Sequence, residues 1–262
     1  MVNNTPAPAQ TKTGKIKAKL LSKYYGNPIK DMKLICITGT TGKVEVANFV
    51  HEILKCAGHP VSILAQEDPI KITTLHKFLS TSWKGGANYV IVTAPAESIE
   101  KDVFYSLPLH VVALTNFVPA GLNDESASEY TSGESILFKM DPEFVILNHD
   151  DAHYADFSDF AGSKGTITYG NDRFSNVRIL NSKLYKLGSE ATISIGNTNF
   201  TVASFLNGET SVSYMAAAAA IADALHVIPE KIAEGIANYD PEGTTEPTET
   251  TEKTETAETT EE

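Results

Sequence analysis

Residues 34–46 read LICITGTTGKVEV: an apolar run ending at Thr38, a turn bounded by Gly39 and Gly42, a lysine, and the start of an amphipathic helix. A turn at such a strand-to-helix junction aims its backbone N–H groups, and those of the helix N-terminus, at anionic oxygens. Lys43 adds a mobile positive charge beside the outer phosphates of a nucleotide. Gly39, Thr40, Thr41, Gly42 and Lys43 are therefore the candidate phosphate-binding residues, with ATP the expected ligand. The spacing Gly-x-x-Gly-Lys is shorter than the full phosphate-loop pattern, and the plainer alternative is a glycine turn with a surface lysine. Val44 stands where such loops place a Ser or Thr that holds magnesium, so a magnesium ligand is missing.

Outward from this stretch, hydrophobic runs alternate with helical periodicity. Strands are expected at 33–38, 61–64, 89–93, 111–115, 144–148 and 165–169, and helices at 43–58, 72–83, 96–106 and 126–139. Apolar strands separated by helices predict a mostly parallel sheet covered on both faces. From Val177 the pattern shortens to alternating segments (VRILNSKLYKLG, ATISIG, NFTVASFL), which predict a small antiparallel edge sheet. An alanine-rich helix over 212–225 and a short one over 229–237 follow, with Pro229 at a first helical position where its missing N–H is not needed. The fold class is thus α/β.

Charge is unevenly spread. Residues 1–30 carry six lysines and no acid, residues 244–262 carry seven glutamates and one lysine, and the whole formal charge of −12 rests on the body between them. An acidic body does not suit DNA or RNA, whose phosphates need a basic face. Cys36 and Cys56 make no metal-ligand pattern and read as reduced thiols of a cytoplasmic protein. No apolar run resembles a secretory signal, and 215–225, interrupted by Asp223, is too short to span a bilayer, so no membrane partner is expected. Residues 1–30 read as a basic flexible arm and entry segment, 31–240 as the folded domain, and 241–262 as an acidic Thr/Glu tail. That tail is too poor in apolar residues to offset the entropy of ordering it. It could serve as a docking site for a protein partner.

The segment 24–64, with ITTLHKFLS, GANYVIVTAPAES, VVALTNF, SEYTSGESILFKMDPEFVILNHDD, ITYG and the final FLNGETSVSYMAAAAAIADALHVIPEKIAEGI, resembles the central domain of the Mur ligases. The likeness is to the branch that adds the third amino acid to UDP-MurNAc-dipeptide, and it covers roughly 24–240 in the family's order. It implies an ATP-binding domain that activates a carboxylate as an acyl phosphate for attack by an amine, in cell-wall precursor metabolism.

Carried over position by position, the resemblance is uneven. Gly39, Thr40, Gly42 and Lys43 match the family's phosphate loop, and Thr41 replaces its Asn. The magnesium-binding Thr is Val44; the metal-binding Glu falls at Thr93, and a His of the same segment at Glu97. The Asp-His-Leu-Asp signature falls on Ala120-Gly121-Leu122-Asn123, the carbamylated lysine on Glu134, and the adenine-side Asn pair on Ser211 and Tyr214. A hydroxyl at Thr93 is a poor ligand for a hard cation, and Glu134 is a carboxylate on a shorter arm than the carbamate. The Asn148–Asp151 cluster has two readings, ribose or metal contact against a turn that caps the next helix, and the turn is favoured. The family's flanking domains for the UDP-sugar and the incoming amino acid are not expected in this chain. Three functions stay open: a non-catalytic nucleotide-binding remnant, a ligase or ATPase completed by a partner chain, and an interaction scaffold.

Overall fold

The computed structural model describes residues 12–118, 133–161 and 165–241. The expected disordered tail, the Ala120–Asn123 signature and the start of the helix expected at 126–139 lie outside these residues. In chain order the elements are α1 (Lys12–Tyr24), a 3-10 turn (Pro28–Asp31), β1 (Lys33–Thr38), α2 (Lys43–Cys56), β2 (Val61–Leu64), α3 (Ile72–Lys84), β3 (Tyr89–Thr93), α4 (Ala96–Glu100) and β4 (Val111–Leu114). Then come α5 (133–138), β5 (Phe144–Asn148), α6 (Tyr154–Ala161), β6 (Thr166–Gly170), β7 (Val177–Tyr185), β8 (Gly188–Ile195), β9 (Thr198–Ser204), α7 (Glu209–Ala224) and α8 (Pro229–Asn238).

The nine strands of the described residues form one sheet in the order β2-β3-β1-β4-β5-β6-β7-β8-β9. The pairs from β2 to β7 are parallel, and β8 and β9 extend the edge antiparallel. Side chains alternate across β1: Ile35 and Ile37 enter the core beneath α2, α7 and α8, while Leu34 and Cys36 enter the core under α3, α5 and α6. Burial on both faces is what makes this strand a continuous apolar run rather than an alternating one. On the first face α7 is buried almost all round. Its run Ala216–Ala220 presents methyl groups only, which allows the helix to lie close to α2 and the sheet.

Three local expectations shift. Residues 12–24, read from the sequence as part of a flexible arm, form helix α1. Its docking comes from tertiary contacts: Ala18 is buried, Tyr25 just beyond the helix stacks on His76 of α3, and Lys15 and Lys19 lie over the Tyr105 ring. The helix expected at 96–106 stops at Glu100, since Asp102 and Ser106 adopt left-handed backbone (φ 57° and 66°) that a helix cannot continue through. Strand β4 ends at Leu114, one residue short, because Thr115 turns toward the loop that follows β1.

Two close-packed points lend themselves to tests. A Cβ on Gly235 of α8 would fall inside contact distance of the Ile53 backbone in α2. Gly235→Ala improves helix propensity but forces the two helices apart. Overpacking outweighs that gain, and a net loss of about 1–2 kcal/mol is expected, seen as a lower midpoint in thermal or urea unfolding. His76 is fully buried, and among the described residues neither ring nitrogen has a hydrogen-bond partner. Burial lowers its pKa from the ordinary 6.5. The unfolded chain therefore takes up a proton below about pH 6.5 that the folded one refuses, and stability falls as pH drops through that window. His76→Leu should flatten this acid limb of a melting-temperature profile.

Candidate phosphate site

The chain reverses direction across the sheet at β1, whose neighbours are β3 on one side and β4 on the other. Open α/β sheets bind ligands in the crevice at the carboxyl ends of the strands at such a switch point. The Gly39–Gly42 turn lies there, and the end of β4 grips it. Asn116 accepts from Thr40 N–H through its carbonyl (3.0 Å) and from Thr41 N–H through Oδ1 (2.9 Å), and its Nδ2 donates to Thr41 Oγ1 (2.7 Å). Thr115 Oγ1 donates to the Thr41 carbonyl at 2.6 Å. Gly39, at φ 132°, has no room for a Cβ against Thr115 Oγ1 and the Asn116 carbonyl.

Gly42 sits at φ 79° as the residue before α2, and no side chain caps the N-terminus of that helix. On its far side lies Tyr214 of α7. The Tyr214 ring occupies the space a Gly42 side chain would need, and its hydroxyl donates to Thr41 Oγ1 at 3.2 Å. Lys43 is only 4% exposed. Its Nζ donates to the Gly39 and Thr40 carbonyls (3.0 and 3.2 Å) and pairs with Glu67 Oε2 at 2.8 Å. All three ammonium protons thus have partners before any ligand arrives. Glu67, on the β2–α3 connection, keeps more than half of its side chain exposed. It was not singled out from the sequence, since nothing local in AQEDP ties it to a loop two dozen residues earlier.

The connection that carries Glu67 is held by Thr93. The Thr93 hydroxyl, fully buried, donates to the Gln66 carbonyl (2.8 Å) and accepts from Gln66 N–H (2.9 Å). The side chain at the family's metal-Glu position is therefore spent on backbone and sets the place of the residue next to Glu67. Glu134, on α5, is 7% exposed and lies close enough to Lys43 for its charge to be felt. Burial pushes its carboxyl from 4.5 up to about 7; Lys43 pulls it down and Glu100 pushes it up further.

Other positions fall away from the crevice. Glu97 faces solvent and pairs with Lys101. The buried Ser211 hydroxyl bonds to Ser189 Oγ (2.7 Å) and to the Gly208 carbonyl, bracing the start of α7. Asp150 accepts from Asn171 N–H (2.7 Å), and Asp151 from Phe117 N–H (2.7 Å) and His153 N–H (2.8 Å), as turn-forming residues do. A magnesium ion suits this donor set poorly. Val44 has no lone pair, Thr93 is engaged, and among the described residues no three His, Cys, Asp or Glu are grouped to hold a metal. Nucleotide phosphates suit it better, because the uncapped α2 N-terminus and Lys43 face the same turn.

A family model described as "Mur ligase middle domain" matches residues 37–222. The chain belongs to the Mur ligase middle-domain family. A UDP-N-acetylmuramoyl-L-alanyl-D-glutamate–2,6-diaminopimelate ligase of Bacillus licheniformis is 26% identical over 246 residues, covering 86% of this chain and 50% of that protein. A solved structure of a ligase with the same name superposes at a TM-score of 0.76 with 17% identity, covering 87% of this chain and 50% of that one. A Mycobacterium tuberculosis folylpolyglutamate synthase, solved with ADP and AMPPCP, superposes at 0.71 with 11% identity over 86% of this chain and 63% of its own. This Mur ligase domain spans about half the length of the curated relatives it matches. Among the described residues no helix is long and apolar enough to cross a membrane.

Glu134 makes the site's electrostatics measurable. Its folded pKa of about 7 lies above the usual 4.5, so its contribution to stability is complete below pH 4.5 and lost as pH rises through 7. Glu134→Gln keeps the shape of the protonated acid without its titration. It should raise stability at pH 8 by on the order of 1–3 kcal/mol and flatten the melting profile between those two values.

Proposed function

We propose that this domain binds the phosphates of a nucleotide, ATP or ADP, at Gly39–Lys43 and has lost the carboxylate–amine ligation of its relatives. The observation that carries the reading is the state of Lys43: buried, aimed at the turn, and paired to a carboxylate that is itself more than half exposed. An incoming phosphate supplies the same charge at the same place, so it exchanges with Glu67 rather than adding to it. The first N–H groups of α2 add donors along the helix axis. Tyr214 covers the turn from the α7 side and borders whatever extends from the phosphates. The relatives' names support the nucleotide part of this reading, since one structural neighbour was solved with ADP and AMPPCP.

The loss of ligation rests on the donors. Acyl-phosphate formation needs charge stabilisation around the transferring phosphoryl group, which related phosphate-loop enzymes obtain from a metal held by hydroxyl and carboxylate ligands. Val44 has no hydroxyl, and Thr93 has no carboxylate and spends its hydroxyl on the Gln66 backbone. On this reading the domain extends over 31–240, with peptidoglycan-related ancestry and a cytoplasmic location.

Isothermal titration of ATP and ADP into the full chain, with and without magnesium, checks the proposal. Micromolar to submillimolar affinity is expected, weakened about tenfold or more by Lys43→Ala, with the variant's melting curve recorded to show that it folds. Glu67→Gln removes the competing anion and should tighten binding several-fold. Heat release that neither variant changes would sink the phosphate-loop assignment. Magnesium-dependent turnover of ATP would instead favour a ligase or ATPase completed by a partner chain.

A further inference from the structure

Helix α1 has two apolar faces, and the protein uses one. Gly14, Ala18, Leu21 and Tyr25 lie toward the body, with Ala18 buried and Tyr25 stacked on His76 of α3. On the opposite side Ile16, Leu20 and Tyr24, spaced i, i+4, i+8, form a single stripe, and they are 59%, 63% and 81% exposed. Exposed Lys17 flanks the stripe on one side and exposed Lys23 on the other, while Lys15 and Lys19 are held over the Tyr105 ring beside it. No acidic residue occurs anywhere in 1–30.

We infer that α1 is a docking surface for an anionic lipid bilayer, on which it lies with Ile16, Leu20 and Tyr24 in the head-group layer. The inference is independent of the nucleotide reading. Helices that rest on membranes without spanning them combine an apolar stripe with lysines at its borders. Aromatic residues such as tyrosine favour the depth at which their ring is in lipid and their hydroxyl in water. Charge decides between this occupant and a protein groove. A protein partner usually offers mixed charges and is met by mixed charges, whereas α1 is of one sign throughout and suits a surface of uniformly opposite sign. The acidic body does not oppose this contact strongly, because its charge beyond about 8–10 Å from the head groups is screened by salt.

The test is sedimentation of the full chain with vesicles of phosphatidylcholine alone and of phosphatidylcholine mixed with phosphatidylglycerol. Binding to the mixed vesicles alone is expected, weakening as salt is raised. Leu20→Glu should lower the partition by about tenfold or more, the size expected when one leucine leaves an apolar layer. Lys17→Glu with Lys23→Glu should lower it comparably. Both sets of positions are exposed, so an unchanged melting temperature is expected and confirms folding. Absence of binding to the anionic vesicles overturns the inference. So does binding indifferent to Leu20→Glu, self-association through α1 in sedimentation equilibrium without lipid binding, or capture of an acidic protein that vesicles fail to displace.

Discussion

The hydrogen bonds that Thr115 and Asn116 make to the turn after β1 hold the functional end of the molecule together. They exist because β1 and β4 are adjacent parallel strands in fixed register, Thr38 beside Leu114, so that the residues following each strand meet at one level. Asn116 takes both amide protons of Thr40 and Thr41, which leaves those of the α2 N-terminus as the donors still free of a side-chain cap. The left-handed backbone of Gly42 and the position of Lys43 follow from a turn pinned in this way. The strained geometry is tolerated because only glycine stands where Thr115, Asn116 and Tyr214 come close.

Around that turn the charges are one buried ammonium and two carboxylates. A single buried ammonium is compensated by its own loop carbonyls and by one flexible carboxylate, while a second carboxylate nearby is held partly protonated by burial. The hydroxyl of Thr93 serves this arrangement by fixing the connection from which Glu67 reaches in.

The rest of the chain separates along the same physical lines. The two hydrophobic cores are built from strand residues of opposite parity, so the sheet divides them. The candidate phosphate turn lies at its carboxyl edge, and α1 packs on α3 at one face. Charge is segregated too, with lysines alone in the first 30 residues and an acidic body after them. Such a distribution orients a molecule near a charged surface without bearing on its fold.

Much of the fold was legible in the sequence. Continuous apolar runs with helices between them gave the parallel sheet, the alternating segments after Val177 gave the antiparallel edge, and Gly39–Lys43 marked the strand-to-helix junction. These signals are local: each depends on residues within one element or one turn. The site's composition was only half legible. Lys43, Glu134 and Tyr214 could be named from the motif and the resemblance, but Glu67 and the clamp by Asn116 come from segments dozens of residues away. Helix α1 was missed for a related reason, as its lysine-rich stretch orders only when Ala18 and Tyr25 find α3. The amino-acid sequence by itself determined which segments become strands and helices and where a phosphate turn could form. Only the tertiary structure decided that its lysine is already paired, because an ion pair between residues 43 and 67 is a consequence of sheet order and not of spacing along the chain.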